Sequence, residues 1–129
     1  MPFILLDRGS GSELCEASFK SLRGKAIVPS LRGETCAKIV SDTDVFLCSF
    51  EFAFRSGASK ALYDEFVQEL MVCHGGDEYV EWTEGVPVNH PDSYEQTTFE
   101  HYEGLQVSGA LKDKGALQKT YVFVRLPAH

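Results

Sequence analysis

The chain has 129 residues, 43% of them hydrophobic, and a formal net charge of −7 at pH 7. This length and apolar content are typical of one globular domain with its own core, so we expect a single domain over residues 1–129 rather than a disordered chain. The acidic balance argues against direct binding to nucleic acid, which requires a basic surface to neutralise phosphates.

The first part of the chain predicts a strand, a turn and a helix. Residues 2–7 form a short apolar run that predicts a buried strand, and the Gly/Ser sequence of residues 8–12 predicts a turn. Backbone N–H groups in such a turn could bind an anion, but a plain strand exit is the simpler interpretation. Residues 13–23 fit a helix that is capped by Ser10 and stops at Gly24. Their alternating pattern also fits a strand; we favour the helix.

The middle of the chain carries the two clearest signals. Residues 25–31 predict a short edge strand and residues 35–40 a helical turn. Residues 44–55 predict a strand, because apolar side chains recur at every second position. Residues 59–74 predict a helix, because apolar side chains recur at helical spacing and two glycines follow.

The last part of the chain completes the predicted fold. Residues 78–84 predict a strand, and residues 92–103 predict a helix capped by Asp92. Residues 105–110 and 119–126 predict two further strands, of which the second is apolar on both faces and therefore central. Together these elements predict an α+β domain, with a mixed and mostly antiparallel sheet of about five or six strands and two or three helices packed on one face.

Charge is distributed unevenly along the chain. Between Lys60 and Lys112 there is no Lys or Arg, whereas the same stretch holds eleven acidic side chains. Residues 1–60, 61–111 and 112–129 have formal charges of +1, −11 and +3, which give the total of −7. The eleven are Asp64, Glu65, Glu69, Asp77, Glu78, Glu81, Glu84, Asp92, Glu95, Glu100 and Glu103. Such a one-sided field concerns encounter with partners rather than the fold.

Part of this charge has a local explanation. Asp64, Glu65 and Glu69 fall on the outer face of the predicted second helix, and Asp92 and Glu95 form a helix-capping pattern. Six acids remain, together with two aromatic residues that, like Tyr94, suit an interface. These candidate partner-binding residues are Asp77, Glu78, Glu81, Trp82, Glu84, Glu100, Tyr102 and Glu103.

Clustered carboxylates accelerate association with Lys and Arg on a partner. The sequence therefore favours a small binding or inhibitor protein that engages the basic surface of a partner macromolecule. A nucleic-acid-binding protein is one such partner, and a virus- or plasmid-borne antagonist would have this size and charge. No cofactor is needed for this function. An ordinary solvated acidic surface is the competing interpretation.

A small hydrolase is the alternative function. Cys36 follows a predicted helix start, where a thiolate would be favoured, and His74 or His90 could act as its base. A site of histidine and carboxylate groups around His74, His90 and His101 is the second version. The spacing of these histidines does not match a metal site, so no metal is predicted.

The cysteines bear on the compartment. Cys15, Cys36, Cys48 and Cys73 show no paired spacing. The beginning of the sequence lacks the basic region of a signal peptide, and no apolar run is long enough to span a membrane. We therefore expect four reduced thiols in a cytoplasmic protein, with a two-disulfide framework as the alternative.

Overall fold

The computed structural model of the chain describes the residues that form two helices, eight strands and most of their connections. The described ranges are 12–24, 28–40, 44–75, 79–86, 91–101 and 104–128. The predicted strand over residues 2–7 and most of the Gly/Ser turn that follows it lie outside these ranges.

Both described α-helices were predicted. Helix α1 spans Glu13–Leu22, and the side chain of Ser12, rather than Ser10, accepts the N–H of Cys15 at 3.1 Å to cap its start. Helix α2 spans Gly57–His74 and begins after Ser56, whose hydroxyl accepts the N–H of Ser59 at 3.2 Å. The helical interpretation of the ambiguous residues 13–23 is therefore confirmed.

The strands form one large sheet and one small hairpin. The hairpin consists of β1 (Ser30–Leu31) and β2 (Glu34–Thr35), joined by Arg32 and Gly33 with φ of 52° and 82°. The strands of the large sheet are β3 (Ala37–Ile39), β4 (Val45–Ala53), β5 (Tyr79–Val86), β6 (Tyr94–His101), β7 (Gln106–Lys114) and β8 (Lys119–Pro127). Their order is β3-β4-β8-β7-β6-β5, and every described pairing is antiparallel. The α+β class and the sheet of about six strands were predicted correctly.

The core lies between this sheet and α2. Phe46, Cys48 and Phe50 of β4 alternate onto one side of the sheet, directly opposite apolar residues of β8. Phe66 of α2 contacts Phe50, with ring centroids 5.5 Å apart, and the buried hydroxyl of Tyr63 bonds to a threonine of β6. We call this side of the sheet the helix face and the opposite side the far face.

Two predicted helical segments are strands. Residues 92–103 were predicted as a helix, but residues 94–101 form β6, which pairs with β5 on one side and β7 on the other. Threonines and aromatics favour this pleated, half-buried environment, and the ladder satisfies the backbone on both sides. Asp92 caps no α-helix; its carboxylate accepts, at 3.2 Å, the N–H of Gly115, which begins a short 3-10 helix over Gly115–Leu117. Residues 35–40 were predicted as a helical turn, but they contribute to β2 and β3.

The prediction of four reduced thiols is wrong, because all four cysteines are paired. Cys15 of α1 bonds to Cys73 near the end of α2, across a sequence separation of 58. Cys36 bonds to Cys48 of β4, across a separation of 12 and with Cα atoms 4.2 Å apart. The two-disulfide alternative is therefore the one that the structure supports. The first bridge fastens the helices to each other, and the second fastens the chain before β3 to the sheet.

A buried polar network closes the sheet where β4 turns toward α2. The carboxylate of Asp113 accepts hydrogen bonds from Arg55 at 2.8 Å and from Ser93 and Thr120 at 2.7 Å each. Burial would raise the pKa of Asp113, but these three hydrogen bonds outweigh it and hold the pKa below its ordinary value. One carboxylate thus joins the turn after β4 to β7, β8 and the residue before β6.

Neither described helix combines the length and the apolar content that crossing a bilayer requires.

Candidate partner-binding surface

Half of the predicted partner-binding residues fall on described strands, and they lie together at one end of the sheet. Strand β5, which ends the spatial order of the sheet, carries Glu81, Trp82 and Glu84. Its neighbour β6 carries Glu100. We call these four residues the acidic edge. The other predicted residues lie outside the described ranges: Asp77, Glu78, Tyr102 and Glu103.

The pleat of β5 divides the acidic edge between the two faces of the sheet. Register places Trp82 opposite Thr98 and Glu84 opposite Gln96, so both side chains leave the far face. Glu100 also belongs to this face, one pair further along the strands. Glu81 points to the other side of the sheet. Two of the three acids therefore share a face with the tryptophan.

Two aromatic side chains hold the Glu84 carboxylate. The indole Nε1 of Trp82 donates to Oε2 of Glu84, and the hydroxyl of Tyr94 donates to Oε1, both at 3.4 Å. These distances are long for hydrogen bonds, and Glu84 is exposed, so the carboxylate can turn to a stronger donor. Trp82 and Tyr94 present apolar rings with one polar atom each, which is the side-chain type found most often at binding hot spots.

Four other acids of the stretch have cationic or hydroxyl partners inside the molecule: Asp64, Glu65, Glu69 and Glu95. Lys60 lies 3.0 Å from Asp64 and 3.7 Å from Glu95, and the hydrogen bond to Asp64 is the main cause of its raised pKa. Glu65 pairs with Arg32, and Glu69 accepts the hydroxyl of Ser12 at 2.5 Å. By contrast, within the described ranges no ion pair joins Glu81, Glu84 or Glu100 to a cation.

A groove lies beside the acidic edge on the far face. It follows β7 between β6 and β8, has a volume of about 530 Å³, and is lined by residues that include Tyr94, Ser108, Ala110, Lys112, Phe123 and Arg125. We call it the far-face groove. Its basic side chains were not predicted as functional residues. No signal in the sequence brings them together, because Arg125 belongs to β8 whereas Lys112 and Lys114 belong to β7.

The cysteine hydrolase alternative is wrong. Cys36 has no thiol, because it is bonded to Cys48, and it lies between two strands rather than at a helix start. A thiolate nucleophile requires a free sulfur. None of the other cysteines can replace it, since all are in disulfides.

The alternative of a hydrolase that uses histidine and carboxylate groups receives no support from the described residues. His74 is only 1% exposed, its Nε2 lies 2.8 Å from the hydroxyl of Ser18, and burial lowers its pKa to about 4. His101 lies in β6, where it lowers the pKa of His74 further, and His90 lies outside the described ranges. Within those ranges no group of three or more metal-ligating side chains occurs.

No protein-family model matches the chain, and no curated protein or solved structure is significantly similar to it. Function must therefore be inferred from the geometry of these surfaces.

Proposed function

We propose that this protein is a small binding module whose acidic edge engages a basic surface on a partner macromolecule. The observation that carries the proposal is the difference between the acids of one stretch. Asp64, Glu65 and Glu95 pair with cations of the same molecule, whereas Glu81, Glu84 and Glu100 have no ion pair within the described ranges. Carboxylates without internal cations remain available to Lys and Arg of a partner.

Trp82 supplies the apolar part of this surface. It is half-buried on the far face, so part of its ring remains accessible, and Glu84 lies next to it on the same face. Binding energy at interfaces is concentrated in such aromatic anchors, while nearby charges govern the approach of the partner. The pair therefore combines an anchor with a charge that recognises a cation.

The position of β5 at the end of the sheet adds a second mode of contact. One side of β5 pairs with β6, and its other side has no partner strand within the described ranges. Val80 of this strand is 65% exposed. A partner segment in extended conformation could bond to this backbone and bring its basic side chains to Glu81 and Glu84. Charges on an edge strand also have a simpler role, which is to prevent two sheet edges from associating.

The cellular compartment of the protein determines which partners it could meet. The predicted cytoplasmic location remains a prediction, and the two disulfides count against it, because disulfides persist mainly in oxidising compartments. A partner with a basic surface in an oxidising compartment is therefore the first one to test.

A pull-down with charge variants tests the function. The double substitution Glu81→Lys/Glu84→Lys reverses charge at the acidic edge, and Glu16→Lys/Glu34→Lys makes the same change in net charge at exposed positions elsewhere. A basic partner should be retained by the wild type and by the second variant, lost by the first, and released as salt rises. Equal retention by both variants would contradict a role for the acidic edge. Equal loss would show that net charge alone governs binding.

A third variant, without charge at these positions, separates partner binding from protection of the sheet edge. If Glu81 and Glu84 only prevent association of edges, the Glu81→Ala/Glu84→Ala variant should form dimers or larger species in light scattering. If they contact a partner, this variant should remain at the wild-type size and lose the partner.

A further inference from the structure

Six described cations form no ion pair, and three of them line the far-face groove, whereas Lys20, Arg23 and Lys38 lie outside it. Four cations that do not line the groove form ion pairs: Arg32, Arg55, Lys60 and Lys119. Lys112, Lys114 and Arg125 line it, and none of them forms an ion pair with a described carboxylate. In a protein with an excess of acids, three such cations around one groove indicate a site for an anion.

The shape of the groove is suited to a flat ring. Ser108 and Ala110 of β7 form a floor of small side chains, while Phe123 of β8 and Tyr94 of β6 stand on either side of it. Strands β6 and β8 are two strand spacings apart, about 10 Å, which leaves room for one aromatic ring between side chains of the two walls. Phe123 is held in place by Tyr121, with the ring planes 13° apart and the centroids 5.8 Å apart.

The cations are arranged along the groove rather than in one cluster. Lys112 and Lys114 leave the same face of β7 about 7 Å apart, a spacing at which two ammonium groups can converge on one phosphate. Arg125 lies beside Ser108, toward the other end of the floor. Its guanidinium can donate to ring heteroatoms there.

We propose that the far-face groove binds a single ring-bearing anion of the size of a nucleoside monophosphate. Lys112 and Lys114 bind its phosphate, and its ring lies over Ala110 against Phe123. The volume of about 530 Å³ is in the range of small-molecule sites. A longer polyanion fits less well. Across the strands, the row of side chains on the far face runs from Phe123 through Ala110 and Gln96 to Glu84. The negative charge of Glu84 would repel further phosphates.

Isothermal titration calorimetry of the intact, oxidised chain with adenosine 5′-monophosphate tests this site. We expect saturable binding with a Kd below about 1 mM at low salt. Adenosine lacks the anion and inorganic phosphate lacks the ring, so each should bind at least about tenfold more weakly than the complete nucleotide. Absence of saturable binding of the nucleotide would overturn the proposal, as would binding of inorganic phosphate with equal affinity.

Three variants locate the binding. Lys112→Gln/Lys114→Gln should weaken nucleotide binding at least about tenfold, and Phe123→Leu should weaken it while leaving the affinity for phosphate unchanged. The matched control Lys20→Gln/Lys38→Gln removes two exposed cations outside the groove and should bind the nucleotide like the wild type. Equal affinity of the two double variants would overturn the site. Oligothymidylate is the last probe; tighter binding than that of the nucleotide would overturn the single-anion proposal in favour of a nucleic-acid surface.

Discussion

The helix face and the acidic edge use the same side-chain types in opposite ways. On the helix face, Tyr63 and Asp113 are buried and hydrogen-bonded within the molecule at distances below 3.0 Å. At the acidic edge, Trp82 and Glu84 meet only at 3.4 Å and remain partly accessible. An aromatic or acidic residue therefore indicates function only where burial and close hydrogen bonds inside the fold do not already account for it. Substitutions on the helix face should therefore change stability, and those at the acidic edge should change binding.

Removing the disulfide between the helices should have the largest effect on stability. Cys15→Ser/Cys73→Ser opens a connection across 58 residues, and the loss of this constraint on the unfolded chain should lower the free energy of unfolding by about 4 kcal/mol. Removal of the shorter Cys36–Cys48 connection, across 12 residues, should lower it by about 3 kcal/mol. Urea unfolding of the oxidised proteins measures both. An unchanged midpoint for the first variant would mean that packing alone holds α1 on α2.

A matched pair of aromatic substitutions makes the comparison direct. Phe66 is 2% exposed and contacts Phe50, so Phe66→Ala should lower the free energy of unfolding by at least about 3 kcal/mol. Trp82 lies on the end strand, so Trp82→Ala should lower it by less than about 1 kcal/mol and should abolish retention of the partner. Chemical denaturation and the pull-down give the two measurements. A large loss of stability in Trp82→Ala would place this residue with the core instead.

The buried His74 should make the packing between α1 and α2 sensitive to acid, because its ring contacts Ser18 and Phe19 of α1. Its pKa is lowered from 6.5 to about 4, so the unfolded chain binds a proton between these values and the folded protein does not. The stability that depends on neutral His74 is therefore complete above pH 6.5 and falls toward pH 4, by on the order of 2–3 kcal/mol. Unfolding measured across this range should show a shallower decline for His74→Gln than for the wild type. Parallel declines would contradict the prediction.

The Asp113 network should give a smaller effect at a lower pH. Its pKa lies below the ordinary value of 3.8, so its contribution is present above that pH and is lost as the pH falls through the pKa of the folded state. Asp113→Asn removes the charge that Arg55 binds and should lower the free energy of unfolding by about 1–2 kcal/mol at pH 7. The difference between variant and wild type should disappear in strong acid. Neither substitution, at Asp113 or His74, should affect binding at neutral pH.

Helices α1 and α2 and strand β4 could be predicted because their signals are local. Apolar spacing and the following glycines define α2, and alternation defines β4. At residues 92–103 a capping pattern competes with β-favouring threonines, and pairing on both sides decides for the strand. This is an override of local preference by tertiary structure, which a single sequence does not reveal.

All eight candidate binding residues came from the sequence, and four of them lie on described strands, whereas the far-face groove was not predicted. The acidic edge has a sequence signal, because its acids are close together along the chain. The far-face groove has none, since its residues come from four strands and only the register of the sheet places Lys112 between Tyr94 and Tyr121. The disulfides were missed for the same reason, because Cys15 and Cys73 are 58 residues apart.

The place of β8 in the sheet affects how the protein can fold during synthesis. This strand follows the other strands of the sheet in the chain, yet it lies between β4 and β7. Until residues 119–127 have left the ribosome, β3 and β4 cannot join the meander of β5, β6 and β7. Until then, β4 and β7 each lack the strand that pairs with one of their edges. A nascent chain of this kind depends on late, long-range pairing, and translation that stalls before β8 should yield aggregates rather than a partly active protein.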